Sequence, residues 1–339
     1  MRRFPPVTGR EPLNAWEHLM RILAAGWHGQ IASAFMQIAP GRKDISAFAI
    51  GRPGLDICEP RSVERALGDI RPDVLINLAG YTDVDGAESE PELAFALNSA
   101  GARLLAEAAA RRNVPIIHIS TSYVFDGRKT SAYVETDETA PSTVYGKSKL
   151  AGEAEVQRAN PKHIILRTEW IHSPFGRCFV SNILQRAQLG MPLKVVNDQY
   201  GNPTYAPHLV DAILEVAASL TARPPEHIPW GAYHAAGAGA ATWYDVAKEV
   251  LVQSEQLTGL PFSLEAISSA EYATRSSRSP NSELDCSKLE ESFSVRLPAW
   301  RHGVQECVKR LLAAEPPAAN GAGLPAGRTR TARGKFAPQ

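Results

Sequence analysis

The sequence predicts an α/β protein, a doubly wound parallel sheet joined to a smaller second domain. Two observations predict it. Short apolar runs of β type alternate with longer helical patterns over the first half of the chain, and such strands separated by helices imply a parallel sheet covered on both faces. From about Glu169 the rhythm loosens, broken by Pro174, Pro192, Pro203 and Pro207 and by a Gly/Ala-rich stretch over 231–241. That change predicts a second, less regular body.

Taken in order, the chain opens on MRRFPPVTGREPLNAWEHL, an N-terminal arm over 1–19. It lacks the apolar run of a signal peptide. Regular patterning starts at Met20, and β-type apolar runs follow at 21–25, 47–50, 74–78, 116–120 and 163–167. Between the third and fourth, SEPELAFALNSAGARLLAEAAARR reads as helix, with Pro91 suited to a first turn and Ala/Leu favouring the rest. The resulting division is 20–168 plus 207–230 for the sheet domain and 169–206 plus 231–314 for the second. The last stretch, 315–339, has almost no apolar content beyond Ala and is expected to be a disordered tail.

Composition bounds the function. In 339 residues, Lys plus Arg equal Asp plus Glu at 36 each, so no charge excess points to nucleic acid or a membrane surface as partner. No apolar run approaches the ~18 residues that span a bilayer. Cys58, Cys178, Cys286 and Cys307 form no CxxC pair, as expected of reduced thiols in a cytoplasmic protein. No ligand cluster for a metal is evident, and none is expected.

The first chemical motif is MRILAAGWHGQIASAF. A strand runs into Gly26, which permits a turn with positive φ, and Gly29, which lets backbone approach a pyrophosphate at the N-terminus of a helix beginning near Gln30 and Ile31. A plain turn would explain the glycines alone; their place at the opening of a strand–helix unit favours a dinucleotide. About 20 residues on, where NAD sites tend to carry an acid, stand Gly51 and Arg52. Arginine pairs with a 2′-phosphate, which favours NADPH, with NADH possible. Arg52 as a solvated turn residue is the alternative. Asp56 and Ile57, just beyond, are candidates for the adenine.

The second motif is STSYVFDG followed by YGKSK. Tyr145 and Lys149 stand four apart in a helical pattern and so share a face. A nearby ammonium favours a phenolate and would draw a tyrosine down from ~10 towards neutral pH, where it can move protons. Thr121, ending a strand, would offer its hydroxyl to a substrate carbonyl, with Ser122 beside it. The third motif, NLAGYTDVDGAE, follows a strand with small Ala79 and Gly80, where a nicotinamide ribose could pass close to backbone, then Thr82 and Asp85 at the cleft mouth. Asn98 is either a satisfied core amide or part of a relay to Lys149.

These stretches, together with ETDETAPSTVYGKSKLAGE, LRTEWI, VVNDQYGNPTYA and SSRSPNSELDCSKL, resemble the dTDP-4-dehydrorhamnose reductase family of extended short-chain dehydrogenases/reductases over Met20 to Leu312. The resemblance implies a Rossmann domain with a smaller, discontinuous nucleotide-sugar domain. It implies NADPH-dependent reduction of the C4 ketone of dTDP-4-dehydro-L-rhamnose. On its motifs Thr121, Tyr145 and Lys149 match the catalytic triad. Thr82, Asp85 and Trp170 fall in the substrate cleft, and the turn 199–204 and Arg278 face the nucleotide-sugar. A merely buried tryptophan is the alternative for Trp170.

The sequence also departs from that family. An Asp in the usual Ser-Thr-Asp is Ser122, a Lys after the Val-Asp of the third motif is Gly86, and an Asn before a Phe is Cys178. These departures keep open a sister reductase or epimerase of another nucleotide-4-keto sugar, and a non-catalytic NADP-binding relative that regulates a partner. The intact triad argues against the last. Monomer and homodimer are both compatible with the sequence.

Overall fold

The structure is a computed structural model that describes residues 19–259, 262–272 and 278–313. The arm (apart from Leu19) and the tail expected from the sequence lie outside the described residues. The first half alternates β1 (Met20–Ala25), α1 (Gln30–Ile38), β2 (Ile45–Ile50), α2 (Pro60–Ile70) and β3 (Val74–Asn77). It continues with α3 (Val84–Ala87), α4 (Pro91–Phe95), α5 (Ala102–Arg111), β4 (Ile116–Thr121), α6 (Val144–Ala159) and β5 (His163–Thr168). The second half holds β6 (Ile171–His172), α7 (Phe179–Gln188), β7 (Leu193–Val196), β8 (Tyr200–Gly201), β9 (Thr204–Tyr205) and α8 (Ala206–Ala222). Then come β10 (Gly231–His234), β11 (Ala241–Thr242), α9 (Trp243–Thr258), β12 (Leu264–Ile267), α10 (Ser287–Phe293) and α11 (Trp300–Ala313).

The main sheet has six strands in the order β10-β5-β4-β3-β1-β2, and every pairing in it is parallel. One face is covered by α1 and α8 through Phe35, Leu209, Val210 and Ile213. The other is covered by α2 and α5 through Val63, Leu67, Leu105 and Ala109. Because helices shield both faces, the strands can be apolar throughout, and β3 and β4 are buried at every residue. β2 and β3 flank β1 on opposite sides, so the direction of winding reverses there and the carboxyl ends of β1 and β3 open a crevice.

A second core belongs to α7, α9, α11 and β7, with Ile183, Leu184, Val246, Val250, Val304 and Val308 among its buried residues. Two segments that the sequence reading gave to the second domain sit elsewhere. β10 is the edge strand of the main sheet, pairing with β5 from Gly231↔Ile164 to His234↔Arg167. Leu289, Phe293, Val295 and Leu297 pack into the core that holds α1 and α8. Four residues beginning with Gly and Ala carry too little β signature to announce a strand, and a short amphipathic helix does not say which body it covers.

Candidate active site

At the carboxyl ends of the sheet lies a cleft of about 390 Å³, within the usual range for small-molecule sites. Of the residues expected from the sequence, Gly29, Gln30, Ile31, Ala79, Gly80, Thr82, Thr121, Ser122, Tyr145, Lys149, Trp170 and Arg278 line it. Gly26, Arg52, Asp56, Ile57 and Asp85 do not.

Gly26 acts from behind the wall. Its φ is +112°, and an added Cβ would stand 3.1 Å from the Ala79 nitrogen, so a glycine is needed where β1 turns past the end of β3. Gly29 caps α1 at φ +95° with no side-chain cap and no acid in the first turn, leaving the helix N–H groups open to an anion. The Gln30 side chain is a strut across the cleft: it donates to the Ile171 carbonyl at 3.1 Å and accepts from the Ser173 hydroxyl at 3.0 Å. Arg52 and Asp56 lie on the loop after β2, Arg52 exposed and Asp56 accepting from the Cys58 N–H at 3.0 Å. The Ile57 side chain is buried in the core that holds α2 and α5, so only its backbone remains for a cofactor. Gly51 makes room for an exposed tryptophan that the sequence reading passed over, since a Cβ there would meet Trp27 at 2.4 Å.

The triad is assembled by β4 and α6. Thr121 ends β4, and its hydroxyl accepts from the Tyr123 N–H at 3.2 Å. Thr143 starts α6, its hydroxyl accepting from the Gly146 N–H at 3.0 Å, and this cap fixes where Tyr145 and Lys149 emerge. Gly146 is needed because a Cβ would meet the Tyr123 carbonyl at 2.2 Å. Lys149 is 6% exposed and donates to the Ile119 carbonyl at 2.5 Å. Burial pulls its ammonium down to about 8, against the upward pull of Glu153.

The expected tuning of Tyr145 by Lys149 is not what the structure shows. Burial pushes Tyr145 up to about 12; a hydrogen bond with Thr121 draws it the other way, and Tyr123 adds to the rise. The ammonium is turned to Ile119 and is itself partly desolvated, so it offers the phenol little compensation. Asn98 takes the first of its two readings: its amide donates to the Ser148 hydroxyl at 2.9 Å and the Tyr81 carbonyl at 3.0 Å, and accepts from the Tyr81 N–H at 2.8 Å. That satisfies both ends of the side chain.

Several neighbours were missed. Glu153 continues the Tyr145–Lys149 spacing by another four residues and is buried against Arg167, 2.7 Å away, with the Ser120 hydroxyl donating to it at 2.5 Å. Reading the helix face one turn further would have found it. Trp170, at φ +46°, stacks on Trp243 with ring centroids 3.7 Å apart, and nothing near Trp243 in the sequence flags it. Asp85 and Arg278, each assigned to the substrate, meet one another at 3.2 Å.

A nucleotide cleft at the switch point of a parallel sheet, holding Thr121, Tyr145 and Lys149, defines an extended short-chain dehydrogenase/reductase. The chain matches the family model described as the RmlD substrate binding domain over residues 20–313. It is 43% identical over 293 residues to a dTDP-4-dehydrorhamnose reductase of Sinorhizobium fredii, covering 86% of this chain and 98% of that one. It is 35% identical to the Escherichia coli protein of the same name, with 86% and 98% covered. Among solved structures, a dTDP-4-dehydrorhamnose reductase of Clostridium acetobutylicum aligns with TM-score 0.79 at 31% identity, over 86% of this chain and 100% of that one. A Bacillus anthracis dTDP-4-dehydrorhamnose reductase in complex with NADP aligns with TM-score 0.77 at 28% identity, over 85% and 98%. The chain belongs to the dTDP-4-dehydrorhamnose reductase family.

Proposed function

We propose that this protein reduces the C4 ketone of dTDP-4-dehydro-L-rhamnose to dTDP-L-rhamnose with NADPH. The observation that carries the reading is the convergence of Thr121, Tyr145 and Lys149 on one cleft with the Gly29 helix start, in a chain of this family. The residues present fit a dinucleotide: Gly26 lets the turn close on Ala79, and the uncapped start of α1 offers N–H groups to a pyrophosphate. Bound NADPH supplies the hydride. The Tyr145 hydroxyl, pushed up to about 12, holds its proton at neutral pH and gives it to the oxygen at C4 as charge develops there. Thr121 hydrogen bonds Tyr145 and orients the carbonyl. Lys149, lining the same cleft, is the residue offered to the nicotinamide ribose, and Arg52 is the residue offered to the 2′-phosphate.

One departure from the family pattern has a packing reason. An added Cβ at Gly86 would stand 2.5 Å from the Tyr81 hydroxyl and 2.7 Å from Asp83 Oδ2. Tyr81 in turn donates to Glu90 at 2.7 Å, so a lysine at 86 would have to shift the Tyr81 hydroxyl and the Asp83 carboxylate.

The test is NADPH oxidation against a panel of dTDP- and UDP-linked 4-keto sugars. Turnover with the dTDP-linked 4-dehydrorhamnose well above the UDP-linked ketones is expected. Equal rates across the panel would reduce the reading to a nucleotide-ketose reductase, and no oxidation with any member would overturn it.

A further inference from the structure

The cleft holds one acid that neither the triad nor the cofactor turn uses. Glu169 follows β5 directly, lines the cleft, and is 4% exposed. A carboxyl buried that deeply needs partners, and three separate segments provide them. Asn202, between β8 and β9, donates its backbone N–H to Oε1 at 2.6 Å. Ser122, immediately beyond β4, donates its hydroxyl to Oε2 at 3.2 Å. The Ser282 hydroxyl also hydrogen bonds with the carboxyl, while donating to the Tyr200 carbonyl at 3.0 Å. A hydroxyl has a single hydrogen. That hydrogen serves the Tyr200 carbonyl or the carboxyl, so Ser282 joins the two.

We propose that Glu169 is a positioning residue for the sugar nucleotide: its one carboxyl ties the ketone end of the cleft, through Ser122 beside Thr121, to Asn202 and Ser282 on the facing wall. This rests on the nucleotide-sugar reading given above. It also accounts for a departure from the family pattern. The acid absent at Ser122 stands instead at Glu169, on the other side of the same contact.

Burial pushes Glu169 up to about 8, against hydrogen bonds from Ser282, Asn202 and Ser122, with the nearby Glu283 adding to the rise. The other titratable groups that feel it are Tyr123, which Arg278 approaches at 3.5 Å, and Cys286. Ionisation places a buried negative charge at the ketone end of the cleft, which disfavours an anionic sugar nucleotide.

The experiment compares Glu169→Ala and Glu169→Gln, the second keeping the side chain's size and an acceptor for Asn202. Glu169→Ala is expected to raise KM for dTDP-4-dehydro-L-rhamnose about tenfold, the loss of one buried hydrogen bond, with NADPH affinity by fluorescence titration unchanged. Glu169→Gln is expected to restore KM. In the wild type KM rises as pH passes through about 8, and in Glu169→Gln that rise is gone. Lys149, also near 8, acts on both proteins alike. The proposal is overturned if Glu169→Ala leaves KM unchanged, if both variants lose NADPH affinity together with Tm, or if the KM rise persists in Glu169→Gln. A wild type that reduces only a UDP-linked ketone defeats the sugar assignment instead, and the same comparison is then made on that ketone.

Discussion

Replacing Lys149 by methionine should stabilise this protein while disabling it. Burial takes the ammonium from 10.5 to about 8, and a displacement of that size is worth about 3 kcal/mol of disfavoured charge. Methionine fills much the same space without the charge but leaves the Ile119 carbonyl, now bonded at 2.5 Å, without its donor. An acceptor orphaned in that way costs about 1–2 kcal/mol. The net gain is about 1–2 kcal/mol near pH 7, or about 1–3 °C in Tm for a chain of this size. The sign with pH follows from proton uptake. Between about 8 and 10.5 the unfolded chain still holds the lysine proton that the folded chain has released, so wild-type stability rises through that window. The variant's advantage is therefore full below about 8 and has turned into a deficit of about 1–2 kcal/mol by 10.5, where only the orphaned Ile119 carbonyl remains. Calorimetric Tm values for both proteins at a series of pH values read this directly. A variant less stable than wild type at pH 7, or a Tm gap that does not change with pH, would refute the reasoning.

Four further outcomes are expected. Tyr145→Phe keeps NADPH binding by fluorescence titration and lowers turnover by roughly 10²–10⁴-fold, the usual worth of a general acid. Arg52→Ala removes most of a preference for NADPH over NADH, since a charge-assisted phosphate contact is worth about 1.5–3 kcal/mol; tighter NADH binding by the wild type would defeat that assignment. Glu153→Gln leaves Arg167 buried beside a neutral partner at 2.7 Å and costs about 3–5 kcal/mol in chemical denaturation. Arg278→Ala raises KM for the nucleotide-sugar with NADPH affinity unchanged, as steady-state kinetics would show, because Arg278 meets Asp85 at the substrate mouth rather than at the cofactor turn.

How much the sequence disclosed varied with the range of the interactions involved. The first five strands could be read because each is an apolar run, and the residues bracketing them expose the glycine turn and the ends where ligands bind. β10 could not, because Gly231–His234 owes its place to pairing with β5 and not to its own pattern. The triad was legible for the same local reason as the strands: Thr121 ends a strand, and Tyr145 and Lys149 share a helix face. Its charge state was not. Spacing brings an ammonium near a phenol but does not say that the ammonium will reach back to Ile119, 30 residues away in the chain.

The same limit explains why Glu169 escaped notice although it stands inside a quoted motif. Beside Thr168 and Trp170 it reads as a polar residue at a strand end, a place where acids are commonly solvated. Its meaning comes from Asn202, 33 residues on, and Ser122, 47 residues back. Departures at Ser122 and Gly86, taken one at a time, look like erosion of a substrate site. In the folded chain each has a local cause: the Ser122 hydroxyl is used by an acid from across the cleft, and Gly86 yields its space to Tyr81 and Asp83. A substitution near an active site is therefore better judged by the group it now faces than by the residue it replaced. On that criterion Thr121, Tyr145 and Lys149 are intact, and the two changes alter contacts beside them, to Glu169 at one and to Tyr81 and Asp83 at the other.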